Sequence, residues 1–179
     1  ASSVSVSGAN RTWIGNSGSD FETSANWSAL PADNLTADLG AFTGVVTAHL
    51  PELTTNRSIN GLLFSTPTGG WALGGGSPAS TLTLGGGGLS TAGQTSGSNT
   101  ISANLAIGAA QTWKAGTGGM LLVTGSVTGT GGFPLAVNDA SNLGRVILSP
   151  ASGNSVSLTG SNNGAHFIVA RSGGALELG

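Results

Sequence analysis

Cysteine and tyrosine are absent from this chain, lysine occurs once, and only 7% of its 179 residues are charged. Without cysteine there are no disulfide staples and no thiolate metal sites, and either redox compartment is compatible. An ordinary soluble domain carries about 25% charged residues. The five basic residues here, Arg11, Arg57, Lys114, Arg145 and Arg171, stand singly. Nucleic-acid binding needs clustered cations that displace phosphate counterions, so that partner is excluded, and an anionic membrane surface with it. No apolar run approaches the roughly 20 residues that cross a bilayer as a helix.

Glycine (32 residues), serine and threonine fill the gap left by charge. Such a composition often marks disorder, because too little apolar surface is buried to offset the entropy of ordering. Here 38% of residues are hydrophobic, and they alternate with small polar ones, which favours a folded chain.

The alternation predicts strands. Thr81-Leu82-Thr83-Leu84, Ser155-Val156-Ser157-Leu158-Thr159 and Leu176-Glu177-Leu178 each place every second side chain on one apolar face. Met120-Leu121-Leu122-Val123 and Arg145-Val146-Ile147-Leu148 read as strands covered on both sides. Breaks are expected at Gly74 to Gly76, Gly85 to Gly88, Gly118-Gly119, Gly131-Gly132 and Gly173-Gly174, since turns often require positive φ. No helical periodicity follows Leu62. Leu84, Ile107, Val127, Ile147 and Ile168 recur at a spacing of about 20 residues, as in a solenoid whose stacked coils share a core. The fold class is all-β, a β-solenoid, with a β-sandwich as the alternative.

Residues 1–60 differ: they hold most of the charge, Trp13 and Trp27, and Pro31 and Pro51. They read as an N-terminal cap with the two tryptophans as packing anchors, ahead of a solenoid repeat region at 61–179. Ser3 to Ser7 fits an edge strand, and Ala1-Ser2-Ser3 fits the mature end left by a cleaved signal peptide.

Several motifs then resemble one family. Trp13-Ile14-Gly15, Asn26-Trp27 and Asp38-Leu39-Gly40-Ala41-Phe42 come first, followed by Gly61-Leu62-Leu63-Phe64 and Trp71-Ala72-Leu73-Gly74-Gly75. Next are Thr81 to Gly88, Ala109-Ala110-Gln111-Thr112-Trp113 and Val127-Thr128-Gly129-Thr130-Gly131-Gly132. Ser157 to Asn162 and Gly173 to Gly179 close the series. In this order they resemble bacterial exported proteins with autotransporter-associated β-strand repeats. The resemblance implies a right-handed parallel β-helix, secretion and display at or beyond the cell surface, and it brings no catalytic residues. Phe133 to Asp139 departs from the family's usual Lys-Thr-Gly-type turn, and the chain reaches Gly179 without the family's anchoring or sorting segment.

The seven carboxylates are Asp20, Glu22, Asp33, Asp38, Glu52, Asp139 and Glu177. A parallel β-helix can cleave glycans with paired carboxylates. Asp20 and Glu22 would share a strand face, but they lie in the cap, and the repeat region offers only Asp139 and Glu177. Asn16, Asp20 and Glu22, with Asp33 or Asp38, supply oxygens of the kind calcium takes, at a spacing that matches neither an EF-hand nor a β-roll; a polar turn is the simpler reading. His49 and His166 are isolated, no Gly-x-Ser-x-Gly elbow occurs, and the single lysine, Lys114, follows Trp113 and not a phosphate-loop glycine. Asn-x-Ser/Thr sequons stand at Asn10, Asn26, Asn34 and Asn56; they arise readily by chance in such a chain and matter only in a glycosylating secretory host. Trp71 and Trp113 fit coil interiors better than exposed sugar platforms.

The expectation is a non-enzymatic, extracellular structural module that needs no cofactor or metal. Its partners are the rest of a longer surface polypeptide or copies of itself stacked head to tail, with strand donation through Val4 and Val6. A glycan-binding adhesin, displaying Trp71 or Trp113, is a further alternative.

Overall fold

The computed structural model describes residues 8–158, 167–169 and 175–178. In chain order the strands are β1 (Ala9–Thr12), β2 (Asp38–Thr43), β3 (Arg57–Ser65), β4 (Ala72–Leu73), β5 (Thr81–Thr91), β6 (Ser98–Ile101), β7 (Asn104–Ile107) and β8 (Gln111–Ala115). Then come β9 (Met120–Val123), β10 (Val127–Gly129), β11 (Leu135–Val137), β12 (Arg145–Leu148), β13 (Val156–Leu158), β14 (Phe167–Val169) and β15 (Ala175–Leu178). A single 3-10 turn, Ser24–Asn26, is the helical element among the described residues.

All pairing between these strands is parallel. The chain winds through about five turns as a right-handed parallel β-helix. A sandwich, which is built of antiparallel strands, is excluded. Each coil has three sides. The first stacks the opening halves of β3 and β5 on β7, β10 and β13. The second stacks β1, β2, the closing halves of β3 and β5, then β8, β11 and β14. The third stacks β4, β6, β9, β12 and β15, extended toward the N-terminus by single bridges from Gly74 to Glu52 and from Glu52 to Asp20.

Alternation along each strand puts one apolar column per side into the interior. Leu82, Leu105 and Val127 are register neighbours on the first side. Leu62, Leu89, Trp113 and Val137 follow one another on the second. Leu73, Ile101, Val123 and Leu148 do so on the third, and all of these side chains are buried. Burial of one such side chain contributes roughly 1.5–3 kcal/mol. Because each coil touches only its neighbours, the core is a continuous column.

The N-terminal end of that column is filled by aromatic rings. Trp13 and Phe21 pack against Trp27, with centroids 5.1 and 4.7 Å away, and Phe42 links Trp27 to Phe64 and Trp71 at 5.8, 4.9 and 5.5 Å. Residues 27 and 28 also cover part of the outer edge of β1. Trp27 bridges Trp13 antiparallel, the Ser28 amide donates to the Thr12 carbonyl at 2.8 Å, and the Ser28 hydroxyl accepts from the Thr12 amide. Bare strand edges recruit other chains, so this covering matters. Residues 1–60 thus combine the aromatic plug with β1 and β2, which stack in the second side; residue 60 falls inside β3. The Ser3 to Ser7 strand, with Val4 and Val6, lies outside the described residues.

Three expectations need correction. The 20-residue spacing holds as a stacking register only for Leu84 beside Ile107. Val127 stands beside Leu105, Ile147 beside Leu122 and Ile168 beside Ala136, because the coils vary in length: 22 residues from Leu105 to Val127, 29 from Val127 to Val156. Second, β9 and β12 bury one face only, through Leu121 and Val123 and through Val146 and Leu148; Met120, Leu122 and Ile147 point outward, half-buried. Third, Gly85 to Gly88 does not break a strand but lies within β5, where the chain bends from the first side to the second. Gly88 has φ +59, and a Cβ on Gly61 would meet the Gly88 carbonyl oxygen at 2.5 Å, so the bend needs glycine on both coils.

Candidate functional site

Carboxylates concentrate where residues 16–38 fold over the first coils. Phe21 and Glu52 anchor this segment through backbone bonds: the Phe21 amide donates to the Glu52 carbonyl at 2.9 Å, and the Glu52 amide to the Ser19 carbonyl at 2.7 Å. Asp20 then accepts from the hydroxyls of Thr54 (2.7 Å) and Thr23 (2.8 Å) and from the Glu22 amide (3.2 Å). Burial works to raise the Asp20 pKa, but these three donors outweigh it and hold the group below its ordinary value. Glu22 pairs with Arg57, whose guanidinium also donates to the Pro31 carbonyl and lies 5.9 Å from the centre of the Phe21 ring. Burial dominates at Glu22 and raises its pKa despite the arginine.

Asp33 accepts from the Ser58 amide at 2.7 Å. Asp38, buried, accepts from the Ala32 amide and pairs with Arg11 at 3.1 Å. Burial alone would raise its pKa, and these two partners bring it below the ordinary value. Four of the candidate calcium ligands, Asp20, Glu22, Asp33 and Asp38, are therefore engaged by protein donors. Among the described residues no three His, Asp or Glu side chains come together as a metal site. Asn16 is exposed.

The remaining candidates are dispersed. Asp139 is 3.0 Å from Lys114 and accepts from the Ser141 and Asn142 amides. The Ser141 amide first, then the Asn142 side chain and Lys114, hold it well below the usual carboxylate range. Glu52 and His49 are exposed, and the His49 carbonyl accepts from the Trp13 indole at 2.9 Å. Glu177 lies on β15, in register with Ile147, and His166 is outside the described residues. Trp71 and Trp113 are 1% and 0% exposed, so both serve the core and neither forms a sugar platform.

The grooves open to the surface among the described residues include the following pair. One, about 450 Å³, is lined by Val45, Val46, Thr66, Pro67 and Thr68 with flanking glycines. The other, about 290 Å³, is lined by Gly86, Ala110, Gln111, Thr112, Pro134 and Ala136. Neither is lined by a carboxylate or a histidine, so neither holds an acid–base pair.

Sequence reasoning missed a set of buried amides that tie coil to coil. Gln111 donates to the Leu84 and Ala109 carbonyls and accepts from the Trp113 indole at 2.8 Å. Asn99 accepts from the Trp71 amide at 3.0 Å and donates to Gln94. Asn138 accepts from the Ala115 amide and donates to the Gly144 carbonyl. Such amides satisfy backbone groups at corners where the sheet ladder is interrupted. An Asn or Gln flanking an apolar strand in a chain so poor in charge was the available signal.

The parallel pairing and the stacked core define a class, the right-handed parallel β-solenoid. No family model, characterised protein or solved structure matches the chain.

Proposed function

We propose that the chain is a non-enzymatic structural module of an exported bacterial surface protein, a stiff low-charge solenoid that spaces or displays other parts of that protein. The observation that carries this reading is the continuous three-sided apolar column, combined with carboxylates at positions 20, 22, 33, 38 and 139 that are each engaged by neighbouring protein groups. The mechanism is mechanical: parallel backbone ladders about 4.8 Å apart resist bending while interdigitated side chains exclude water. The resemblance to autotransporter-associated repeat proteins supports export by a cleaved signal peptide and display outside the cell.

One observation favours a second reading, a self-assembling filament subunit. Among the described residues β13, β14 and β15 each pair on one side only, which leaves a ladder able to accept the coil of another copy as readily as more of the same polypeptide. Negative-stain electron microscopy with light scattering on the 179-residue chain separates the two. Monodisperse particles near 17.3 kDa support the module, and long uniform fibres support the filament. Hydrolysis of a polysaccharide that is lost in an acidic-residue variant would overturn the non-enzymatic reading.

A further inference from the structure

Four sequons occur in the chain, and the fold places them in very different settings. Asn26 is fully buried; its side chain accepts from the Ser17 amide at 2.6 Å and donates to the Asp20 carbonyl at 2.9 Å. Asn10 is exposed but lies in β1, where the extended backbone is held in register with Leu39. Asn56 is exposed, and its oxygen accepts from the Thr81 amide of the next coil. The sequon at Asn56 continues through Arg57, which is held beneath Glu22 and Pro31, and Ser58 in β3.

Asn34 is unlike the other three. It sits on the exposed connection between the 3-10 turn and β2, and Thr36 is exposed beside it. Its Oδ1 accepts from the Thr36 amide at 3.0 Å, the Ala37 amide at 2.8 Å and, more weakly, the Thr36 hydroxyl at 3.4 Å. Its Nδ2 donates to no group among the described residues, so the nitrogen faces solvent while the oxygen is clamped. A carboxamide nitrogen is a poor nucleophile until it loses a proton, and the charge then develops on the amide oxygen. Donors already aimed at that oxygen stabilise the developing charge. Asn34 carries three such donors from its own sequon turn, whereas Asn56 has one, supplied by a neighbouring coil.

We infer that Asn34 is an acceptor for N-linked glycan in the folded protein, with a polyprenyl-pyrophosphate-linked oligosaccharide as the donor. In the transfer Nδ2 gives its proton to a base of the transferase and forms a bond to the sugar anomeric carbon. The bond from that carbon to the pyrophosphate oxygen breaks, and the lipid pyrophosphate leaves with the bonding electron pair. The inference rests on the exported reading only for where the chain encounters a transferase; the acceptor chemistry belongs to the folded chain alone. A glycan at this position projects from the connection beside the aromatic plug.

The test incubates the purified folded chain with an oligosaccharyltransferase and its lipid-linked oligosaccharide, then maps peptides by mass spectrometry. The expected result is one glycan, on the peptide containing Asn34, that is lost in Asn34→Gln and in Thr36→Ala while circular dichroism stays unchanged. Modification of Asn34 only after urea unfolding, or of Asn10 or Asn56 ahead of it in the folded chain, overturns the assignment. Either of those results leaves the exported reading standing, because that reading is tested by locating the protein and not by its modification.

Discussion

Replacing Asn138 tests the coil-corner amides most sharply. The residue is 1% exposed and stands at φ 60, in the left-handed region. Its Oδ1 accepts from the Ala115 amide at 2.8 Å and its Nδ2 donates to the Gly144 carbonyl at 2.7 Å. Both backbone partners are buried. Asn138→Ala leaves each of them without its side-chain partner, at about 1–3 kcal/mol apiece. It also places a Cβ-bearing residue without a polar side chain in the left-handed region, which costs about 1–2 kcal/mol. The expected loss is about 3–8 kcal/mol, and Asn138→Gly, free of the backbone cost, recovers about 1 kcal/mol of it. Urea denaturation measures the loss. Hydrogen exchange at the Ala115 amide localises it, since a solenoid need not unfold in a single step. An Asn138→Ala variant within 1 kcal/mol of the parent, or one no weaker than Asn138→Gly, would refute the reasoning.

Trp113→Ala, which empties a site buried between Leu89 and Val137, should cost about 3–5 kcal/mol in the same denaturation assay. Thr128→Val, exposed on the outer surface of the first side and giving up only a long 3.3 Å hydrogen bond to the Leu105 carbonyl, should cost less than about 1 kcal/mol, and a larger loss would mean that Thr128 faces the interior. The depressed pKa values of Asp20 and Asp38 stabilise the fold at pH above the unfolded value of 3.8, and this contribution is lost as pH falls through the folded values. The stability gap between the parent and Asp38→Asn should therefore be open at about pH 7 and narrow at about pH 2.5; a gap independent of pH would contradict the Arg11 pairing.

The strands of the all-β solenoid were legible because short apolar runs bounded by glycine turns are a local signal, although which of their faces is buried was not. Met120 to Val123 and Arg145 to Leu148 coincide with β9 and β12 residue for residue. The stacking register was not legible, because it depends on loop lengths that differ from coil to coil, so equal sequence spacing joined residues from different sides. Glycine runs misled in one place for a physical reason: between Gly85 and Gly88 the missing Cβ lets a strand bend and neighbouring backbones approach, as well as letting a chain turn. At the candidate site, the carboxylates were visible in sequence but their partners were not. Arg57 and Thr54 lie more than 30 residues from the Glu22 and Asp20 they engage and meet them only because the coils stack.

The most direct test of the account uses the absence of cysteine. Ala106 and Thr128 are register neighbours facing outward on adjacent coils, whereas Ile107 and Val127, also about one coil apart in sequence, are not register neighbours. Adjacent parallel strands bring paired Cα atoms within the 4.4–6.8 Å that a disulfide spans. The double variant Ala106→Cys/Thr128→Cys should cross-link within one chain under mild oxidation, and Ile107→Cys/Val127→Cys should do so far more slowly. Equal cross-linking of the two pairs, or preference for the second, would contradict the parallel stacking on which every functional statement here depends.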